Sequence, residues 1–326
     1  MSEKTVSQPI KFGTFLGVFT PSVLTILGVM MYLRFGWVLG NLGLPLTLLT
    51  VILASSITFV TGLSASAIST NMKVGVGGEY YMISRSLGIQ LGGAIGIPLF
   101  LCRTLSLTLY AFGLAESIAP FWPAEWGAPP IQLMAALIIL FATAVAGKSA
   151  NLSLKMQLPI MGAVGLSLIA LFTGVLTGGF QAPEMVANYH RSAPEGFWFV
   201  FAVFFPAVTG FTAGIGMSGD LKDSKKSIPK GTILAVITGT VVYILILTAL
   251  SLTSRVDGEM MAKIDTSAPP IWSKIAFLGM VLIYPGLWGA ILSSAFGRFS
   301  DRMPAEQIIA KTKRTATPTT QLKNGN

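Results

Sequence analysis

Charge is what this sequence has least of. Of its 326 residues 11% are charged and 52% hydrophobic, whereas a soluble globular domain carries about a quarter charged residues. A water-facing surface around a chain of this length is thereby excluded. Histidine and cysteine are also scarce, with one of each. A single cysteine, Cys102, forbids an internal disulfide, and its place inside an apolar run says nothing of compartment. With no carboxylate pair inside an apolar stretch, the constellations of an enzyme are missing, and the composition calls for no cofactor. The formal net charge of +9 could suggest nucleic acid, but the basic residues cluster between apolar runs instead of forming a basic face.

What the chain has in abundance is apolar length. A bilayer core of about 30 Å needs roughly 20 apolar residues per helix, and such runs follow one another almost end to end. They define an all-α polytopic membrane protein with about eight transmembrane helices, at 12–40, 44–70, 91–119, 131–147, 153–179, 197–219, 230–254 and 270–297. Residues 1–11 form a short polar N-terminus, 12–297 the transmembrane domain and 298–326 a basic tail too polar to bury a core. The first run is too long for a cleaved signal. Sixteen Lys and Arg fall in loops on the side of the N-terminus and four in the opposite loops, Arg191, Arg255, Lys263 and Lys274. By the positive-inside rule both termini are expected in the cytoplasm.

Two runs are interrupted near their middles. The first reads Pro21-Ser-Val-Leu-Thr-Ile-Leu-Gly28, the sixth Pro206-Ala-Val-Thr-Gly210 continuing to Gly216. Proline followed by glycine frees backbone groups that are tolerated only where protein or a polar cavity satisfies them. Glycines at either break also suit close helix packing, but a matched pair five spans apart points to a transporter with inverted repeats and a midplane site. A half-helix starting at Gly28, Val29 and Met30 would aim free N–H groups and its positive dipole end at the break, an anion site. Gly210, Phe211 and Thr212 offer a second. Arg103 shares a helical face with Ser106 and Tyr110. An intramembrane arginine is by default functional; it would counter chloride or an organic carboxylate, or else snorkel to the membrane edge. Glu116 is expected near the outer rim, and His190 in a solvated outer loop.

These stretches resemble the cation-chloride cotransporters, a branch of the amino acid-polyamine-organocation superfamily. The resemblance is carried by Ile26-Leu-Gly-Val-Met-Met-Tyr-Leu-Arg34, Gly77-Gly-Glu-Tyr-Tyr-Met-Ile-Ser-Arg-Ser-Leu-Gly88, Phe204-Phe-Pro-Ala-Val-Thr-Gly210, Gly219-Asp-Leu-Lys-Asp223 and Ser227-Ile-Pro-Lys-Gly231. It implies a five-plus-five inverted-repeat transporter fold and cation-coupled chloride symport, with chloride at Gly28, Val29, Met30, Gly210, Phe211 and Thr212. It further implies potassium at Thr25, Ile26, Tyr110, Pro206 and Thr209, and sodium at Leu24, Leu27, Ala290, Ser293 and Ser294. Threonine stands at position 25 and leucine at 27 where that family commonly has asparagine and tryptophan, while Arg34 is shared as scaffold. Beyond Gly297 the resemblance ends, so the second repeat is expected to be incomplete, wanting a complementing membrane polypeptide or a homo-oligomer. The expected location is a bacterial inner membrane, and the expected partners are sodium, potassium, chloride and lipid, without nucleic acid. An amino acid permease and a truncated, non-transporting membrane subunit are the alternatives.

Overall fold

The structure, a computed structural model, describes residues 12–72, 74–75, 77–146, 150–183, 195–263 and 269–300, with the backbone path alone at 124, 142–146, 150–155 and 296–300. The segment 1–11, His190, Arg191 and the tail beyond residue 300 lie outside the described residues. Every described element is a helix, apart from isolated bridges such as the one that pairs Phe12 with Leu221. Among the described residues five helices are long and apolar enough to cross a membrane, and Ile131–Phe141 and Met280–Ala295 are shorter apolar ones. Large side chains such as Ile97, Phe100, Leu140 and Val281 stand bare on their outer faces. Only lipid covers so much apolar surface at no cost. The protein is an integral membrane protein.

Each of the eight apolar runs contains a helix. The first enters through a π-helical turn, Phe15–Phe19, and continues as α1, Thr20–Ile26. α2, Val29–Asn71, takes up the chain after the break and bends at Gly43, whose φ of 66° ends one run and starts the next. Then come α3, Gly78–Ser86, α4, Ile89–Ile118, α5, Ile131–Ala146, and α6, Ala150–Gly178. The sixth run holds α7, Phe197–Phe204, a 3-10 helix over Phe205–Thr212, and α8, Ala213–Gly216. α9, Ser224–Leu252, is capped by the Asp223 carboxylate accepting from the Lys226 N–H. The short α10, Gly258–Ala262, and α11, Ile271–Ile275, precede α12, Met280–Ser300.

The eighth run differs from the single helix expected of it. Ala276 is extended and both Leu278 and Gly279 have positive φ, 58° and 47°, so α11 and α12 are separate pieces. Left-handed backbone costs little at Gly279 but is uncommon at a leucine.

The first helix runs through the middle of the molecule, against α9, α12 and the 3-10 segment. It fits because its neighbours are glycine where it touches them. A Cβ on Gly214 would lie 2.5 Å from the Val18 carbonyl oxygen, and one on Gly210 would lie 2.8 Å from Ile26 N. The chain entering this helix is strapped to the Gly219–Asp223 loop: Phe12 N–H donates to the Asp220 carbonyl at 2.8 Å, and Lys222 N–H to the Phe12 carbonyl at 2.9 Å. Partial burial raises the Asp220 carboxyl above the usual carboxylate range.

Candidate functional site

The site grows from the end of α1. At Leu27 ψ swings to 40° and at Gly28 the backbone is extended, so the helix stops at Ile26 and a new one starts at Val29 with no side chain capping it. The first N–H groups of a helix have no acceptor within it, and this applies to Val29 and Met30. Gly28 does not join them, because its own N–H donates to the Ile26 carbonyl at 2.7 Å. On the other side of the break, no backbone bond among the described residues that crosses it uses the carbonyls of Leu24, Thr25 or Leu27. The break therefore presents carbonyl oxygens and N–H groups side by side.

α12 closes this junction. Ser294 is 2% exposed, and its hydroxyl has no hydrogen-bond partner among the described residues. Its Oγ would sit 3.7 Å from a Cβ on Gly28. Ala290 and Ser293 are buried on the same helix. An unpaired buried hydroxyl beside free carbonyls is the composition of an alkali-cation site, where oxygens replace the hydration shell. The cation would be cargo here.

The sixth run behaves differently from the sequence expectation. Gly210, Phe211 and Thr212 do not open a new helix. They belong to a continuous 3-10 helix that runs straight into α8, with Ala213 N–H donating to the Gly210 carbonyl. Tightening from α to 3-10 keeps the N–H groups occupied by i−3 carbonyls, so this segment does not form the second free helix start. Its residues instead brace the first helix. Ser22 Oγ donates to the Phe211 carbonyl at 2.8 Å and accepts from the Gly214 N–H at 3.2 Å. Thr209 donates to the Pro206 carbonyl at 2.9 Å and Thr25 to the Pro21 carbonyl at 2.8 Å.

Tyr243 of α9 joins the two broken runs and was not singled out by sequence. Fully buried, its hydroxyl lies within bonding reach of two carbonyls, Ile26 and, at 2.9 Å, Ala207. A phenol has one proton, so it donates to one of them at a time. Nothing in the sequence around Tyr243 separates it from a packing tyrosine.

Arg103 is also placed differently from its sequence reading as a counter-charge for an anion. Its Nη2 lies 2.9 Å from Glu79 Oε2 in the first turn of α3, so its charge is met by a carboxylate. The double glycine before Glu79 explains how α3 gets there: a Cβ on Gly78 would be 2.8 Å from the Ile215 carbonyl oxygen, a close approach of α3 to α8. Arg34 and Glu116 form a second pair, the guanidinium Nη2 lying 2.8 Å from both carboxylate oxygens. Tyr110 is buried and lines a cavity of about 300 Å³ between α4, α5 and α12, along with Leu107, Leu114, Ile138 and Ile291. That cavity is walled by hydrocarbon and is no place for a bare ion.

A lipid-facing bundle whose helices break around a polar junction is an all-α membrane transport protein. A family model described as amino acid permease matches residues 17–300, and the chain belongs to that family. It is similar to solute carrier family 12 member 2 of Squalus acanthias, 36% identical over 256 residues that make up 72% of this chain and 21% of the relative. It is likewise similar to member 3 of Homo sapiens, 33% identical over 83% of this chain and 28% of the relative. Member 1 of Mus musculus is 34% identical over 74% of this chain and 24% of the relative. The chain thus spans about a quarter of the length of these curated relatives.

Proposed function

We propose that the chain works in secondary active transport, as a cation-coupled chloride symporter. The observation that carries this reading is the unpaired, buried Ser294 hydroxyl facing the break at Gly28. Sodium takes the carbonyls of Leu24, Leu27 and Ala290 with the hydroxyls of Ser293 and Ser294. Potassium takes the carbonyls of Thr25, Ile26 and Pro206 with the hydroxyl of Thr209, and Tyr110, on the hydrocarbon-walled cavity, is left out. Chloride takes the N–H groups of Val29 and Met30, at the positive end of α2. Arg103 and the Gly210–Thr212 segment are left out, since Glu79 meets the one and the 3-10 helix uses the other. Cation and anion then sit across a single break, so each favours binding of the other, and the coupling is reciprocal.

Equilibrium binding of radioactive sodium and chloride to the purified chain tests this. Each ion is expected to raise the affinity for the other about fivefold or more, the lower end of ordinary coupling energies. Absence of chloride binding at saturating sodium and potassium would overturn the symport reading. A second reading, amino acid transport, is favoured by the family model's description. A substrate carboxylate would occupy the same Val29 and Met30 N–H groups, and displacement of chloride by an amino acid would establish it.

The Lys and Arg asymmetry supports a cytoplasmic position for both termini, and the membrane proposed is a bacterial inner membrane. A reporter fused after residue 326 should accordingly be active in the cytoplasm and silent outside. The reverse pattern would reject the assigned orientation.

A further inference from the structure

Gln157 has no part in the interactions described so far. It lies in α6, is 2% exposed, and its amide oxygen Oε1 has no hydrogen-bond partner among the described residues. Leaving such a group unpaired away from water costs about 1–3 kcal/mol. In a fold that could hold leucine at this place, an unpaired amide oxygen suits a partner that comes and goes.

The helix register locates that partner. Gln157, Ile160, Val164 and Ser167 follow one another at steps of three, four and three residues, which puts them on one face of α6. Two contacts show that this face packs on α12. A Cβ on Gly286 would lie 2.6 Å from Ser167 Oγ, and one on Gly289 would lie 3.2 Å from Ile160 Cγ2. As α12 advances, α6 recedes, so the helices are antiparallel along this seam. The next turn brings Gln157 to the level of Ser293 and Ser294. α1 packs against both helices, and the break at its end lies beside Ser294.

We propose that Gln157 supplies an amide oxygen to the sodium ion carried at the junction of α1, α6 and α12. This rests on the sodium reading given above and extends it to a third helix. Its chemistry agrees with the other ligands: carbonyl, hydroxyl and amide oxygens are all neutral. A cation held only by neutral oxygens keeps its charge, which the anion at Val29 and Met30 then balances. A carboxylate in the same place would satisfy the cation alone and weaken coupling.

The test is sodium binding to the purified full chain, with chloride binding and the thermal midpoint measured alongside. Gln157→Leu should weaken sodium affinity about tenfold or more while leaving the sodium-free thermal midpoint unchanged or higher, since it removes an unpaired buried group. Gln157→Glu should bind sodium in a pH-dependent way, tighter as the carboxyl ionises, and show less enhancement by chloride. Sodium affinity unchanged in Gln157→Leu but lowered in Ser294→Ala would overturn the role of Gln157 and leave the sodium site standing. Unchanged affinity in both, or a wild-type chain that binds no sodium, would overturn the sodium reading itself and this proposal with it. Should Gln157→Leu fail to fold, Gln157→Asn draws the amide back by one methylene and is expected to lose sodium affinity too. Retained affinity in that variant would be equally fatal.

Discussion

Valine at position 210 is expected to abolish sodium and chloride binding while leaving membrane insertion intact. The reason is a contact between two backbones. A Cβ at Gly210 would stand 2.8 Å from both Ile26 N and the Thr25 carbonyl carbon. Neither atom belongs to a side chain that can rotate away, so the 3-10 segment and the end of α1 must separate. Overpacking of this kind costs about 1–3 kcal/mol, occasionally more. The displaced atoms belong to Thr25 and Ile26, on the broken turn whose carbonyls are proposed to meet the cations, so binding suffers more than stability. Insertion depends on the hydropathy of the spans, which valine does not lower. Gly210→Ala should move the same way to a smaller degree, because the Cβ is itself the offending atom. Gly165 is the control: a Cβ there meets nothing within 4 Å, and alanine at this mid-helix position should leave binding unchanged. Normal ion binding by Gly210→Val would mean that the two broken runs need not touch.

These contacts divide into those a sequence can announce and those it cannot. The break at Leu27 and Gly28 was legible because proline and glycine punctuate an otherwise unbroken apolar run. So was the bend at Gly43, where two predicted spans meet. In the sixth run the same punctuation gave a 3-10 helix and not an opening, since Pro206 sits at the start of the tightened segment, where its missing N–H costs nothing. The break before α12 falls partly on Leu278, a residue with no propensity for positive φ, and no local signal could have shown it. Charges were visible but their pairing was not: Arg34 and Glu116 are 82 residues apart, Arg103 and Glu79 are 24 apart. For the same reason Ser22 and Tyr243, whose partners lie 189 and 217 residues away, read as ordinary packing residues until the fold brings those carbonyls to them. Periodicity fixes which face a residue takes, whereas these bonds depend on which distant face arrives.

Tyr243→Phe is the second variant with a large expected effect. Phenylalanine keeps the ring and its packing, edge-on to Phe35 at 4.7 Å and to Phe204 at 6.0 Å between centroids. It removes only the hydroxyl. One phenol proton serves the carbonyls of Ile26 and Ala207, which belong to the two broken runs, and without it both oxygens are buried with no donor from α9. Because the Ile26 carbonyl keeps the Gly28 N–H, the loss is that of one hydrogen bond, about 0.5–1.5 kcal/mol, and the thermal midpoint of the ion-free chain should fall. The same change bears on potassium, because Ile26 is among its proposed ligands and its carbonyl is held in place by this contact. A carbonyl held by the Gly28 N–H alone is less firmly placed, and the ordering that the ion must then supply is subtracted from affinity. Potassium binding is therefore expected to weaken about tenfold, equivalent to about 1.4 kcal/mol, while sodium, held at Leu24, Leu27 and α12, is affected less. A lowered midpoint with potassium affinity unchanged would reduce Tyr243 to a strut between the broken runs. An unchanged midpoint and unchanged affinity would mean that the two carbonyls find other donors, and that the first and sixth runs are not joined through α9 at all.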